Sequence, residues 1–256
     1  MARWGSGVIG NSSRGSNIQG AAQGIYAESS VQMAPIGTLR ELEDGRRFRY
    51  GQAAGTIPAG RLVAQDFSLS AVTENNDIAT AAAVGATEVI LTDATDLGSA
   101  TKDQYEGGYL HISDDGGEGH TYRIKGNSAA SSNAVTFTLY DGLVVALTTT
   151  SDTAITGNPW KELVSATAAG DMVVSGVSMV AVTDNYYAWF QTSGVATVLA
   201  DGTCNVGDLL TLSDGVAGAV QTMDQGTGHE AVAGSCLFTN NETDDTPHVG
   251  ILLNLF

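Results

Sequence analysis

Hydrophobic and polar residues alternate in short runs along most of the chain, and no stretch keeps an amphipathic 3.6-residue period for three turns. Runs of five or six residues with period two, punctuated by Gly, Asn and Asp, predict β-strands packed as a sandwich or barrel. The expected strands after Pro35 begin with a hairpin, 36–42 and 46–50, turned at Asp44-Gly45. A short strand at 61–65 follows a Gly-Thr-Ile-Pro-Ala-Gly turn. Between Ser68 and Ala83 the pattern is weak, which predicts a linker or an irregular strand. Strands at 88–92, 108–112, 120–124 and 134–139 form a compact unit, with Asp114-Asp115-Gly116-Gly117 as one of its turns. A further set, 171–174, 177–182, 186–192, 196–199, 209–212 and 249–255, is separated by turns at Asp184-Asn185, Asp201-Gly202 and Asp214-Gly215. The expected fold is therefore all-β: an extended N-terminal arm followed by two small β-sandwich or barrel-like domains. The boundaries read as an arm at 1–34, a hairpin and linker region at 35–83, a β domain at 84–165 and a C-terminal β domain at 166–256.

The arm differs in kind from the rest. Gly, Ser, Asn, Gln and Ala dominate it, and its few apolar residues follow no period. Such a segment cannot offset its own ordering entropy, so it is either disordered or laid along a partner. Trp4 and Tyr26 favour the partner, since solvated tails are poor in aromatics. The stretch MARWGSGVIGNSS has no apolar core of secretory length, which predicts no signal peptide. The densest aromatic run is Tyr186-Tyr187-Ala188-Trp189-Phe190. Alternation sends Tyr186, Ala188 and Phe190 to one face and Tyr187 and Trp189 to the other. Covered on both faces, the run is a core strand; open on one, it is an interface or a carbohydrate platform. Core plus subunit interface is the favoured reading, with Tyr187 and Trp189 as the interface residues.

Charge sharpens the division. The chain carries a formal −17, and charged residues are only 15% of it, against roughly 25% in ordinary soluble domains. Residues 1–61 hold seven basic and four acidic side chains, or +3, which leaves −20 for the remainder. The only cations beyond residue 61 are Lys102, Arg123, Lys125 and Lys161. A body this acidic repels nucleic acid and anionic lipid, so neither is expected as a partner. No run approaches the roughly 20 apolar residues of a membrane span. The basic N-terminal segment suits docking on an acidic protein surface. Cys204 and Cys236 could pair if the fold brings them together, but buried thiols are the favoured reading for a chain made in the cytosol.

Candidate chemistry is thin. Asp114, Asp115 and Glu118 on a Gly-rich loop could offer oxygens to calcium, yet EF-hand spacing is absent and a metal-free acidic hairpin tip is favoured. Asp244 and Asp245, with Glu242 and His248, form a second acidic group, but adjacent acids in a strand point to opposite faces and a solvated loop explains them. His111, His120, His229 and His248 lack HxxxH or CxxC companions, so no zinc site is expected. His111 and His120 could face each other across their hairpin. Neither a Gly-x-Ser-x-Gly elbow, a phosphate-binding loop nor a dinucleotide fingerprint occurs. The chain is expected to have no catalytic residues, no metal and no cofactor.

Several motifs resemble virion structural proteins of tailed bacteriophages. They are Gly37-Thr38-Leu39 through Asp44-Gly45-Arg46-Arg47-Phe48-Arg49-Tyr50, Ala59-Gly60-Arg61-Leu62, Gly108-Tyr109-Leu110 with 117–124, Asn158-Pro159-Trp160, 176–183 with 186–192, and Val206-Gly207-Asp208-Leu209-Leu210 with 249–253, the last similar to small β-domains of head decoration proteins. The resemblance covers most of residues 36–256 and is structural rather than catalytic. It implies a capsid decoration, or cement, protein on the outer face of the head, made in the host cytoplasm. The implied partners are the major capsid protein and further copies of the chain, as a dimer or trimer. On that reading Arg3, Trp4, Arg14, Tyr26, Arg40, Arg46, Arg47 and Arg49 supply the capsid contact. A tail or fibre component, or a carbohydrate-binding protein, is the alternative.

Overall fold

The computed structural model describes residues 23–66, 73–93, 95, 97–167, 172–223, 232–238 and 248–255. Among them every regular element is a strand. The chain opens with β1 (Leu39–Glu41), β2 (Arg47–Gln52) and β3 (Leu62–Gln65). It then runs through β4 (Thr73–Ile78), β5 (Glu88–Thr92), β6 (Tyr109–Asp114), β7 (Thr121–Asn127), β8 (Ala134–Leu139) and β9 (Asp152–Thr156). It ends with β10 (Leu163–Ser165), β11 (Val174–Ser178), β12 (Tyr187–Leu199), β13 (Leu209–Leu212), β14 (Val220–Thr222), β15 (Val232–Cys236) and β16 (His248–Asn254).

The middle six strands close an antiparallel barrel in the order β4-β5-β8-β7-β6-β9. Their alternation is the direct cause. In β8 the side chains of Val135, Phe137 and Leu139 point inward, and Val89, Leu91, Leu110, Ile112, Tyr122, Ile124 and Ile155 do the same from the neighbours. Closure removes the exposed edges of a small sheet. Leu97 and Tyr105, from the loop between β5 and β6, join this core, with Tyr105 tilted against Phe137 at 5.7 Å between ring centroids.

The remaining ten strands form one sheet with the path β10-β3-β11-β12-β16-β15-β13-β14, joined by β1 and β2 along β12. The thirteen-residue β12 is its spine. The first half pairs with β2 on one side and β11 on the other, and the second half with β16. The two halves correspond to the strands expected at 186–192 and 196–199. Gly194, at φ +90° and packed on Arg46, lies beside the register shift at Gln191/Ser193 and lets the strand continue.

The barrel is an insertion. The chain leaves the sheet at β3 and returns at β10, and these two strands are themselves partners, Gln65 opposite Leu163. The region 35–83 is accordingly shared, with β1 to β3 in the sheet and β4 in the barrel. Residues 84–165 supply the other five barrel strands and also β10 of the sheet.

Residues 23–34 do not hang free. Gln23 accepts from the Tyr50 hydroxyl at 2.8 Å and donates to Tyr187 O at 2.9 Å, while Ser29 and Tyr187 exchange backbone hydrogen bonds. Ile25 and Ala34 are buried with Phe48, Tyr50 and Trp189. This last third of the expected arm is a strap over the β2–β12 face. It corrects the placement of Trp189 at a subunit interface. The strap covers Trp189, which is 0% exposed and has nothing to present to a second chain. On the opposite face Phe190 packs with Ile57, Val63, Leu163 and Val182.

Candidate interaction surface

The arginines expected to meet a partner are engaged within the chain. Arg40 donates to Gln23 O at 3.0 Å and lies 5.5 Å over the Trp189 ring. Arg49 donates to Gly37 O at 2.9 Å and stacks 4.7 Å over Trp160. Burial lowers the pKa of its guanidinium below the ordinary value, although an arginine stays charged in either case. Arg46 bonds Asp44 at 2.7 Å, approaches the Tyr26 hydroxyl at 3.5 Å and covers the Phe48 ring. Its pKa is raised, first by the Tyr26 hydroxyl, while the Arg46 backbone N–H lowers that of Asp44. Arg47 pairs with Glu41 at 3.4 Å, with about half of each side chain in solvent. Together they clasp the strap and the β1–β2 hairpin onto the sheet. Stacking of guanidinium on Trp and Phe, and donation to backbone oxygens, suit Arg where Lys would not serve. Tyr26 is 62% exposed beside this clasp. Arg3, Trp4 and Arg14 lie outside the described residues.

Tyr187, the other expected interface residue, is half-buried and stacks parallel to Tyr50 at 6.1 Å. It lines a cleft of about 270 Å³ between the barrel and the sheet, with Gln32, Gln52, Arg123, Tyr140 and Lys161 among the other walls.

The surface that sequence reasoning missed is on the far half of the sheet. Val195 of β12 stands opposite Leu252 of β16, Leu252 opposite Ser235 of β15, and Ser235 opposite Leu209 of β13. Directly paired residues share a face, so the four side chains form one row across four strands. Val195 is 57% exposed, and Leu252 and Leu209 are each 47% exposed. In the next row Thr197 faces Gly250, over which the Phe238 ring lies, itself about half exposed. No charged side chain interrupts these two rows. The inward face of the same strands carries Ala196, Val198, Val249, Ile251, Leu253 and Leu210 of the core. A contiguous apolar strip of this kind, on an acidic chain, has the character of a contact surface.

The polar candidates resolve differently. Asp115 takes φ +59° at the tip of the β6–β7 hairpin, and Asp114, Asp115 and Glu118 are solvent-exposed. Among the described residues no three His, Cys, Asp or Glu side chains are grouped to hold a metal. His111 and His120 do not face one another. His111 is opposite Thr121 and bonds the hydroxyls of Thr121 and Thr156, while His120 bonds Gly117 O and stacks on Tyr122. His229, Glu242, Asp244 and Asp245 lie outside the described residues.

Cys204 and Cys236 are buried in the sheet core and are not joined in a disulfide. Burial is the main cause raising both thiol pKa values, so the nucleophilic thiolate is disfavoured. Native protein at neutral pH should leave both unreactive towards a colorimetric thiol reagent, and urea should release two equivalents. Rapid native reaction would contradict this packing.

Comparison with known protein families, with curated proteins and with solved structures returned no match for this chain.

Proposed function

We propose that this chain is a virion structural protein that binds the outer capsid surface and cements neighbouring major capsid subunits. The observation that carries the reading is the uncharged strip of Val195, Leu252, Leu209 and Phe238 on an otherwise acidic chain. Burying it against a shell protein removes apolar area from water without bringing the chain's carboxylates to the contact. Binding only to the assembled shell stabilises the shell by mass action. Segment 1–22, with Arg3, Arg14 and Trp4 and no acid, is a second contact of opposite charge to the body. The arginine clasp serves this indirectly, by fixing the strap from which that segment leads. The resemblance of the 37–50 and 108–124 motifs to virion structural proteins of tailed bacteriophages supports the same reading.

The test is co-sedimentation with assembled, undecorated capsids. The full chain should bind saturably, at a fixed ratio to the major capsid subunit. Val195→Asp with Leu252→Asp should weaken binding by more than about tenfold, the loss expected for a contact centre, with an unchanged melting curve. A deletion should stop at residue 22, because one reaching residue 34 also strips Ile25 and Ala34 from the core. No binding by the full chain would remove the capsid reading.

A further inference from the structure

The four cations of the acidic body gather in one place. Arg123 and Lys125 are two residues apart on the outer face of β7. Lys125 and Lys102 flank one shallow hollow. Lys161 donates to the carbonyl oxygens of Asp103 and Gln104, beside Lys102, and shares the barrel–sheet cleft with Arg123. So every Lys and Arg beyond residue 61 lines either the barrel–sheet cleft or the Lys102–Lys125 hollow, which Lys161 links through Asp103 and Gln104. Lys102 pairs with Asp103, and Glu106 lines the cleft. Arg123 has only the Tyr140 ring, at 4.7 Å, and neither Arg123 nor Lys125 makes an ion pair among the described residues. With 28 acids against 11 bases in the chain, bases left without an acid are unexpected on composition alone.

The opposite end of the same barrel is the reverse. Asp152 of β9 stands in register with Asp77 of β4 on one side and Asp114 of β6 on the other. Asp115 and Glu118 follow on the adjoining hairpin tip. Like charges directly opposite one another across strands are destabilising, and no ion pair offsets them among the described residues. The barrel therefore has a cationic side, where Arg123 and Lys125 make no ion pair, and an acidic end whose carboxylates make none either, among the described residues.

We propose that the cationic side of one barrel receives the acidic tip of the barrel of a second copy, in a head-to-tail contact. Charge complementarity selects this occupant: the tip offers carboxylates on a narrow hairpin, and the Arg123–Lys161 cleft and Lys102–Lys125 hollow offer donors. The two surfaces differ, so the contact is heterologous and closes as a ring or extends as a chain of copies. A symmetric contact through either surface alone would oppose like charges. This association goes beyond the capsid reading and does not depend on it, since it concerns only purified chain.

A charge-swap mixture tests it. Full chain at about 100 µM, a concentration at which contacts with Kd in the micromolar range are populated, is examined by sedimentation velocity. It should contain dimers or larger species. Arg123→Glu with Lys125→Glu reverses the cationic side, and Asp114→Lys with Glu118→Lys reverses the tip; all four positions are exposed. Each double variant alone should sediment as a monomer, with the melting curve of the parent. Mixed in equal amounts they should associate again, because the lysine tip meets the glutamate side and the two unaltered surfaces meet each other. A monomeric full chain, association that survives either reversal, or a mixture that stays monomeric overturns the proposal. Capsid binding without self-association would leave the cement reading standing and this one refuted.

Discussion

Replacing Trp189 by alanine should lower the stability of the sheet by about 3–5 kcal/mol, the usual cost of emptying a fully buried tryptophan site. Trp189 is 0% exposed and meets Tyr50 edge-on, with centroids 5.0 Å apart and rings inclined by 64°. Phe48, Ile25 and Ala34 complete its surroundings, and the Arg40 guanidinium lies above the ring. The strap cannot sink to fill the space, because Gln23 and Ser29 tie it to Tyr50 and Tyr187 at fixed height. Trp189→Phe should cost far less. The indole N–H has no hydrogen-bond partner among the described residues, so phenylalanine gives up ring volume and no bond. Hydrogen exchange separates the two bodies of the fold. Amides of β2 and β12 should lose protection in the alanine variant, and barrel amides should keep theirs, since the barrel core shares no residue with this cluster. Equal protection in variant and parent would mean that the strap does not seal the β2–β12 face.

The contrast between barrel and sheet shows what the sequence makes legible. The barrel strands β5 and β8 alternate strictly and coincide with the expected segments 88–92 and 134–139, because one face meets the core and the other meets water. Strand β4, Thr-Glu-Asn-Asn-Asp-Ile, has no such signature. Its buried Asn76 exchanges hydrogen bonds with Thr153 of β9, so an amide and a hydroxyl occupy an interior position where the pattern looks for an apolar residue. Strand β11, Val-Ser-Gly-Val-Ser, is buried at all five positions. Two covered faces erase alternation, which is why β11 straddles the expected segments 171–174 and 177–182. Neither the insertion nor the apolar strip has a local signature. Both depend on pairings between distant segments, β3 with β10 and β13 with β15 and β16. The clasp shows the same limit. Arg-Arg-Phe-Arg-Tyr announces alternating basic and aromatic side chains, but not that Arg40 and Arg49 are taken by the carbonyls of Gln23 and Gly37.

Gly234→Ala should be the most damaging single methyl addition in the C-terminal sheet. Gly234 lies in β15, opposite Leu210 of β13 and Leu253 of β16. A methyl carbon built on it would fall on Leu252 O, well inside van der Waals contact, and 2.8 Å from Ile251 Cγ1. The first obstacle is backbone, which cannot rotate aside as a side chain can. The methyl must then push β15 from β16, at a cost of about 1–3 kcal/mol or more for overpacking. The same ladder covers Cys236, Ile251 and Leu253, so the strain has a second readout: thiols inert in the parent should react in native Gly234→Ala protein. Two glycines serve as controls. Gly202 has open space around it but φ +79°, so alanine there costs only backbone strain, about 1 kcal/mol. Gly24 has open space and no left-handed φ, and alanine there should be neutral. Melting in the order Gly234→Ala below Gly202→Ala below Gly24→Ala, with thiol exposure confined to the first, is the expected result. Parent-like melting and inert thiols in Gly234→Ala would mean that β15 does not pair with β16 in this register.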